Sequence, residues 1–185
     1  MSSSPAAAAP VHLVVRDGRR EDLPAVHRMI HELAAFEGMP DGPQLSVEDL
    51  AADGFDSQPP WFFLLVAELG HEVAGYALCN RAYSSWTRRA LYIEDLYVAE
   101  GRRRAGVGRA LLREVCARAL AAGATRIDWH VLENNRAARA LYARLGARDL
   151  HCSEGRLALR LDAPRIRAVA EDRLLPHRHL PCDAP

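Results

Sequence analysis

The sequence predicts an α/β fold (α+β in some schemes), with a single mixed central β-sheet flanked by helices. Three observations predict it. The chain has 185 residues, 49% of them hydrophobic, which suits one domain with its own core. Strand-like and helix-like patterns alternate along it in the order β-α-α-β-β-β-α-β-α-β-β. Between a strand and a helix lies VAEGRRRAGVGRALL, residues 98–112, with three arginines running into a Gly-x-Gly pair.

The elements follow in order. VHLVVR (11–16) reads as a short strand. Within 21–36, Leu23, Val26, Ile30 and Leu33 recur at spacings of three and four, which marks an amphipathic helix. Ser46 and Asp49 form a capping box for a short second helix. WFFLLVAEL and EVAGYALCNRAY flank the turn Gly70–His71 as a β-hairpin, and RALYIEDLYV (89–98) is the next strand. The helix after Gly106 carries Val107, Leu111, Val115 and Ala119 on one side and ends at Gly123. TRIDWHVL (125–132) is a strand, and NNRAARALYARLG is a helix stopped by Gly146. ARDLH and GRLALRL are expected to close the sheet as a strand pair. Residues 1–10 and the Pro/His-rich end from Pro176 read as disordered tails, with 11–162 as the domain between them. Residues 163–185 form an extension, in part helical and then disordered.

Composition narrows the function. Acidic and basic residues balance at 24 each, so no global charge points to nucleic acid or a membrane surface. No apolar run is long enough to span a bilayer. Cys79, Cys116, Cys152 and Cys182 form no CxxC pair, and they read as reduced thiols of a cytoplasmic protein. No metal is expected. His177 and His179 fall in the tail.

The loop at 103–109 has a physical reading of its own. The first turn of a helix offers unpaired N–H groups and a partial positive charge. Glycines let phosphates approach these groups, and arginines add charge-assisted contacts. A P-loop needs Gly-Lys, and the chain has no lysine. The dinucleotide pattern G-x-G-x-x-G fails at Leu111. What remains is R-x-x-G-x-G: Arg103, Gly106, Gly108.

R-x-x-G-x-G after a strand, with ENNRAARALYARLGA one strand later, resembles the GNAT (Gcn5-related) N-acetyltransferases. HELAAFE, EDLAADGF, YSSW, LYIEDLYV and ARDLHCSEG resemble the diamine acetyltransferase branch, the spermidine/spermine and thialysine N-acetyltransferases. The resemblance implies acetyl-CoA as co-substrate and a homodimer. It implies that the backbone of Leu96, Tyr97 and Val98 holds the pantetheine arm. The pyrophosphate falls to Arg103, Arg104, Ala105, Gly106, Val107, Gly108 and Arg109, and Asn135, Arg136, Ala137 and Ala138 line the cofactor's other side. Tyr142 matches the family's tyrosine acid, and Glu94 the branch's substrate glutamate. Glu37, Trp86 and Glu154 match its substrate-side residues, with Phe36 before Glu37 in place of the branch's tyrosine, and Asp128, Trp129 and His130 lie where the branch contacts substrate on the neighbouring strand.

Chemistry fits these roles. A CoA thiolate is a modest leaving group (thiol pKa about 8.5), and a phenol of pKa about 10 can protonate it. An alkylammonium, pKa about 10, needs a carboxylate to hold it and take its proton. Glu94 and Asp95 are adjacent, so a regular strand would send them to opposite faces unless a bulge intervened, as it does in the family. Two departures speak against spermine and spermidine. Ser84 stands where spermidine/spermine members have an acid, and Arg156 replaces an aromatic. The expected activity is therefore direct acetyl transfer, in a ternary complex, to a small diamine, polyamine or lysine-like amine. The alternatives are a protein or peptide N-acetyltransferase and a non-catalytic acyl-CoA-binding module.

Overall fold

The computed structural model describes residues 12–173. The tail expected at 1–10 lies outside the described residues, as do His177, His179 and Cys182. The described residues form two compact units that divide between Asn135 and Arg136.

The first unit is a five-stranded sheet in the order β1-β2-β3-β4-β5. Its strands are β1 (Leu13–Asp17), β2 (Phe63–Leu69), β3 (Glu72–Ser84), β4 (Arg88–Val98) and β5 (Arg126–Trp129). The first four pair antiparallel, and β5 runs parallel to β4. The sheet is thus mixed, as expected. Gly70 turns the β2–β3 hairpin at φ 72°.

Helices cover both faces. Helix α1 (Leu23–Phe36) starts with Pro24 in its first turn and buries Leu23, Val26, Met29 and Ile30. With Leu50 and Ala51 of α2 (Val47–Ala51), these pack on Leu64, Val66, Tyr76, Leu78 and Tyr97 of the sheet. Each buried aliphatic side chain contributes about 1.5–3 kcal/mol. The Ser46–Asp49 capping box forms in both directions, at 3.0 and 2.8 Å. Helix α3 (Val107–Ala121) buries Val107, Leu111, Leu112, Val115 and Ala119. It lies on the opposite face, where Val107 meets Gly75. A methyl group at Gly75 would come within 2.6 Å of the Tyr97 carbonyl and 3.2 Å of Val107, so only glycine admits α3 this closely. Arg16 ties β1 to the turn before α1 and to β2 through Asp22 (2.7 and 2.9 Å) and Glu68 (3.1 Å). Burial would raise the Asp22 carboxyl, but Arg16 prevails and holds it below the ordinary value.

The second unit holds α4 (Arg136–Arg144), α5 (Leu150–Glu154) and α6 (Ala163–Ala170). Here the structure corrects one expectation: ARDLH and GRLALRL are not a strand pair. Asp149 accepts hydrogen bonds from the amides of His151 (3.0 Å) and Cys152 (3.2 Å), and so caps a helix. Gly155 closes it in the left-handed conformation, φ 65°. Residues 156–162 then find no ladder partner among the described residues, and Leu157, Leu159 and Leu161 stay exposed. Alternation alone did not decide that segment.

Candidate active site

The register of strand β4 slips part-way along it. Cys79 pairs with Ile93, but Leu78 pairs with Asp95, so Glu94 is an extra residue in β4. The apolar residues require this. Leu91 and Ile93 lie on the α3 face, and so do Leu96, opposite Ala77, and Val98, opposite Gly75. An odd-numbered pair and an even-numbered pair can share a face only if one residue between them is surplus. The slip brings Asp95 to the face of Leu78 and Tyr76. Glu94, two residues on from Tyr92, comes to that same side.

Asp95 is half-buried, and Tyr76, fully buried, donates a 2.9 Å hydrogen bond to it. Burial pushes the Asp95 carboxyl up to about 6 against the pull of that bond, and the charges of Glu94 and Glu37 add to the rise. Burial likewise drives the Tyr76 phenol far above its ordinary value. Glu37 sits at the C-terminal end of α1, half-buried. Glu94 is exposed. Three carboxylates thus act on one another on one side of the sheet.

Toward the other end of the same face, Ala82 pairs with Ala90, and Ala90 with Arg126; Asn80 pairs with Tyr92, and Tyr92 with Asp128. Arg126 donates through Nε to Asp128 (2.8 Å) and through Nη1 to Ser84 (3.3 Å). The Tyr92 hydroxyl and His130 Nδ1 hydrogen-bond. Asp128 and His130 therefore join the acidic face. Trp129, opposite Ile93, belongs to the α3 face. Trp86 stands in the β3–β4 turn, 82% exposed, where its amide and that of Thr87 donate to the Ser84 hydroxyl.

The loop from Glu100 to Gly106 enters α3 in the geometry expected of an anion cradle. Arg104 and Gly106 both take positive φ, 65° and 80°, and nothing lies within 4 Å of where a Gly106 Cβ would be. Behind it stands a 15-residue helix whose first turn has no side-chain cap, and whose dipole favours an anion there. Arg104, Ala105, Gly106 and Arg109 are exposed, while Val107 is buried under the helix. The Arg103 side chain turns elsewhere. Its guanidinium lies over the rings of Phe36 (5.0 Å) and Tyr97 (5.7 Å), and its Nε donates to the Val98 carbonyl. It therefore ties the loop to the end of α1, next to Glu37. Pairing of β4 with β5 stops at Ile93–Trp129, so Leu96, Tyr97 and Val98 pair with β3 alone.

Asn135 closes the first unit. In the second, Arg136, Ala137 and Ala138 form the first turn of α4, and Tyr142 follows on the same helix, half-buried, with burial raising its phenol. Glu154 is held by Arg148 (3.4 Å) and Arg156 (2.7 Å), so its carboxylate already has two cationic partners.

Residues 27–147 match the profile of the Acetyltransferase (GNAT) family. The chain belongs to that family. The thialysine N-epsilon-acetyltransferase of Mus musculus is 39% identical over 84% of this chain and 96% of its own length. The spermidine/spermine N(1)-acetyltransferase-like protein 1 of Homo sapiens is 34% identical over 76% of this chain and 21% of its own. These relatives place the GNAT chain in the diamine acetyltransferase branch, and it is an acyltransferase. An integron cassette protein from the mobile metagenome of V. cholerae shares the fold, with TM-score 0.69 and 21% identity over 86% of this chain and 98% of that one.

Within this GNAT sheet, three polar side chains on the acidic face are not marked by local sequence pattern: Asp95, Tyr76 and Arg126. The parity break between Ile93 and Leu96 was the available signal for Asp95. No local signal joins Ser84 to Arg126, because only the strand register brings them together.

Proposed function

We propose that this enzyme moves the acetyl group of acetyl-CoA to the amine of a small diamine or lysine-like molecule, by direct transfer in a ternary complex. The observation that carries the reading is the bulge at Glu94. It gathers Glu94, Asp95 and Glu37 on one sheet face, while Arg103 fastens the anion cradle to the helix that ends at Glu37. A cation and a phosphate-bearing donor are thereby served by adjoining parts of one unit. The names of the relatives support an amine acceptor of this size.

Each residue then has a task. The amides and charges from Arg104 to Arg109 hold the pyrophosphate, and the free edge of Leu96 to Val98 takes the pantetheine. Glu94 and Glu37 hold the ammonium, and Asp95 adds negative potential above its transition near pH 6. Glu94 accepts the ammonium proton, directly or through water. The amine nitrogen bonds to the acetyl carbon as the carbon–sulfur bond breaks. Tyr142 gives its proton to the departing sulfur and remains neutral at pH 7, since burial raises its phenol. Asn135 and Arg136 to Ala138 flank the cofactor, and Trp86, Asp128 and His130 border the acceptor. Glu154, which the resemblance also offers to the acceptor, has Arg148 and Arg156 beside its carboxylate. The reading extends to a cytoplasmic homodimer, which the resemblance alone supports.

The test is incubation with acetyl-CoA and a mixed panel of thialysine, lysine, ornithine, short diamines, spermidine and lysine-containing peptides, followed by mass spectrometry. Acetylated small amines are the expected products. Acetylation of peptides alone, or of nothing, would refute the reading.

A further inference from the structure

We infer that Arg126 is the carboxylate anchor of the acceptor site, which makes an amino acid bearing a side-chain amine, rather than a diamine, the preferred substrate. The inference rests on the amine-acetyltransferase reading above.

Arg126 pairs with Ala90 and shares a sheet face with Asp128, Tyr92 and Ser84. Ala90 and Ala82 present only methyl groups there, so the guanidinium has room to lie over β4. It does so between two supports, Asp128 at 2.8 Å and the Ser84 hydroxyl at 3.3 Å. These fix Nε and Nη1. The Nη2 edge has no hydrogen-bond partner among the described residues, and the side chain is 39% exposed. A guanidinium held on two sides and open on a third can meet a carboxylate with its remaining donors.

Spacing selects the ligand. Three regular steps and part of the bulge separate Ala90 from Glu94, about 11 Å at the rise of a strand. Two hydrogen bonds of about 2.8 Å take up some of that distance. About 5–6 Å remains between the charged ends of the ligand. An extended lysine-type side chain puts its ammonium about that far from its carboxylate, by ordinary bond lengths. A diamine of the same length would instead bring its second ammonium against the guanidinium. Repulsion at that end discriminates as much as attraction does.

The experiment compares thialysine, lysine and ornithine, each beside its α-carboxamide, together with cadaverine. Steady-state kinetics are measured at saturating acetyl-CoA for the parent, Arg126→Met and Arg126→Lys. The parent should show a KM at least tenfold lower for the free acids than for the amides and cadaverine. Arg126→Met should raise KM for the acids at least tenfold, while leaving the amides and cadaverine unchanged or improved, since Asp128 is released. Arg126→Lys keeps a positive charge and should retain most of the preference, which separates loss of recognition from loss of fold. Equal KM values for acids and amides in the parent would overturn the inference and leave the amine-acetyltransferase reading standing. So would a parallel loss for acids and amides in Arg126→Met. A parent that acetylates none of the amines would overturn both.

Discussion

Tyr76 donates its phenolic proton to Asp95, 2.9 Å away, at the residue where β4 recovers from its bulge. The bond satisfies a carboxylate that burial would otherwise penalise, and it fixes which way Asp95 faces. The pair makes the slip in β4 a feature with consequences for pH, because Asp95 titrates near 6 rather than at the ordinary 3.8.

That displacement predicts a pH-dependent stability. A carboxyl whose folded pKa is raised stabilises the fold while protonated. Its contribution is complete below about pH 3.8 and is lost as pH rises through about 6. The loss amounts to about 3 kcal/mol at pH 7. Asp95→Asn keeps an acceptor for Tyr76 and carries no charge. It should be more stable than the parent at pH 7.5 by up to that amount, and no more stable at pH 4. Urea denaturation at both values checks this, and a gain equal at both would refute it.

Gly108 lies in the first turn of α3, where an added Cβ would meet only Val98 at an ordinary 3.5 Å. An aspartate there suits the helix N-terminus and should leave the fold intact. It would also set a carboxylate beside the pyrophosphate. Gly108→Asp should keep its thermal transition and lose acetyl-CoA affinity at least tenfold by calorimetry. Undiminished affinity would take the cradle out of the account.

Tyr142→Phe removes one hydroxyl from α4. If that hydroxyl protonates the thiolate, kcat should fall about a hundredfold at unchanged acetyl-CoA affinity. An unaltered kcat would assign the proton to another group or to water.

Glu94→Gln should weaken amine binding about ten- to hundredfold and shift the pH–rate profile alkaline, since only amine already neutral in solution would react. Amine titrations across pH 7–10 would show it. An unchanged profile with normal KM would leave Glu94 a bystander.

Much of this was legible in the sequence, because periodicity, capping and glycine placement are local. The 3.6-residue stripe of α1, the Ser46–Asp49 box and Gly106 before α3 each speak through neighbouring residues. The GNAT loop was legible for the same reason. What was not legible depends on register. Asp95 gains its place from one surplus residue, which a period-two reading passes over. Arg126 meets Ser84 across 42 positions only because β3, β4 and β5 align. The expected closing strands failed for another reason. Asp149 and Gly155 supply helix caps stronger than the alternating leucines that follow, and no strand edge pairs with those leucines among the described residues.

Acetyl transfer from acetyl-CoA to a small amine held by the carboxylates of the β4 bulge can be followed as acetyl-CoA-dependent thiol release. The assay would present thialysine, ornithine, short diamines and a lysine-containing peptide at equal amine concentration across pH 6–10. Saturable release with the small amines, rising with pH, and little with the peptide, is the expected result. Release that favours the peptide, or release at the same rate without any amine, would contradict it.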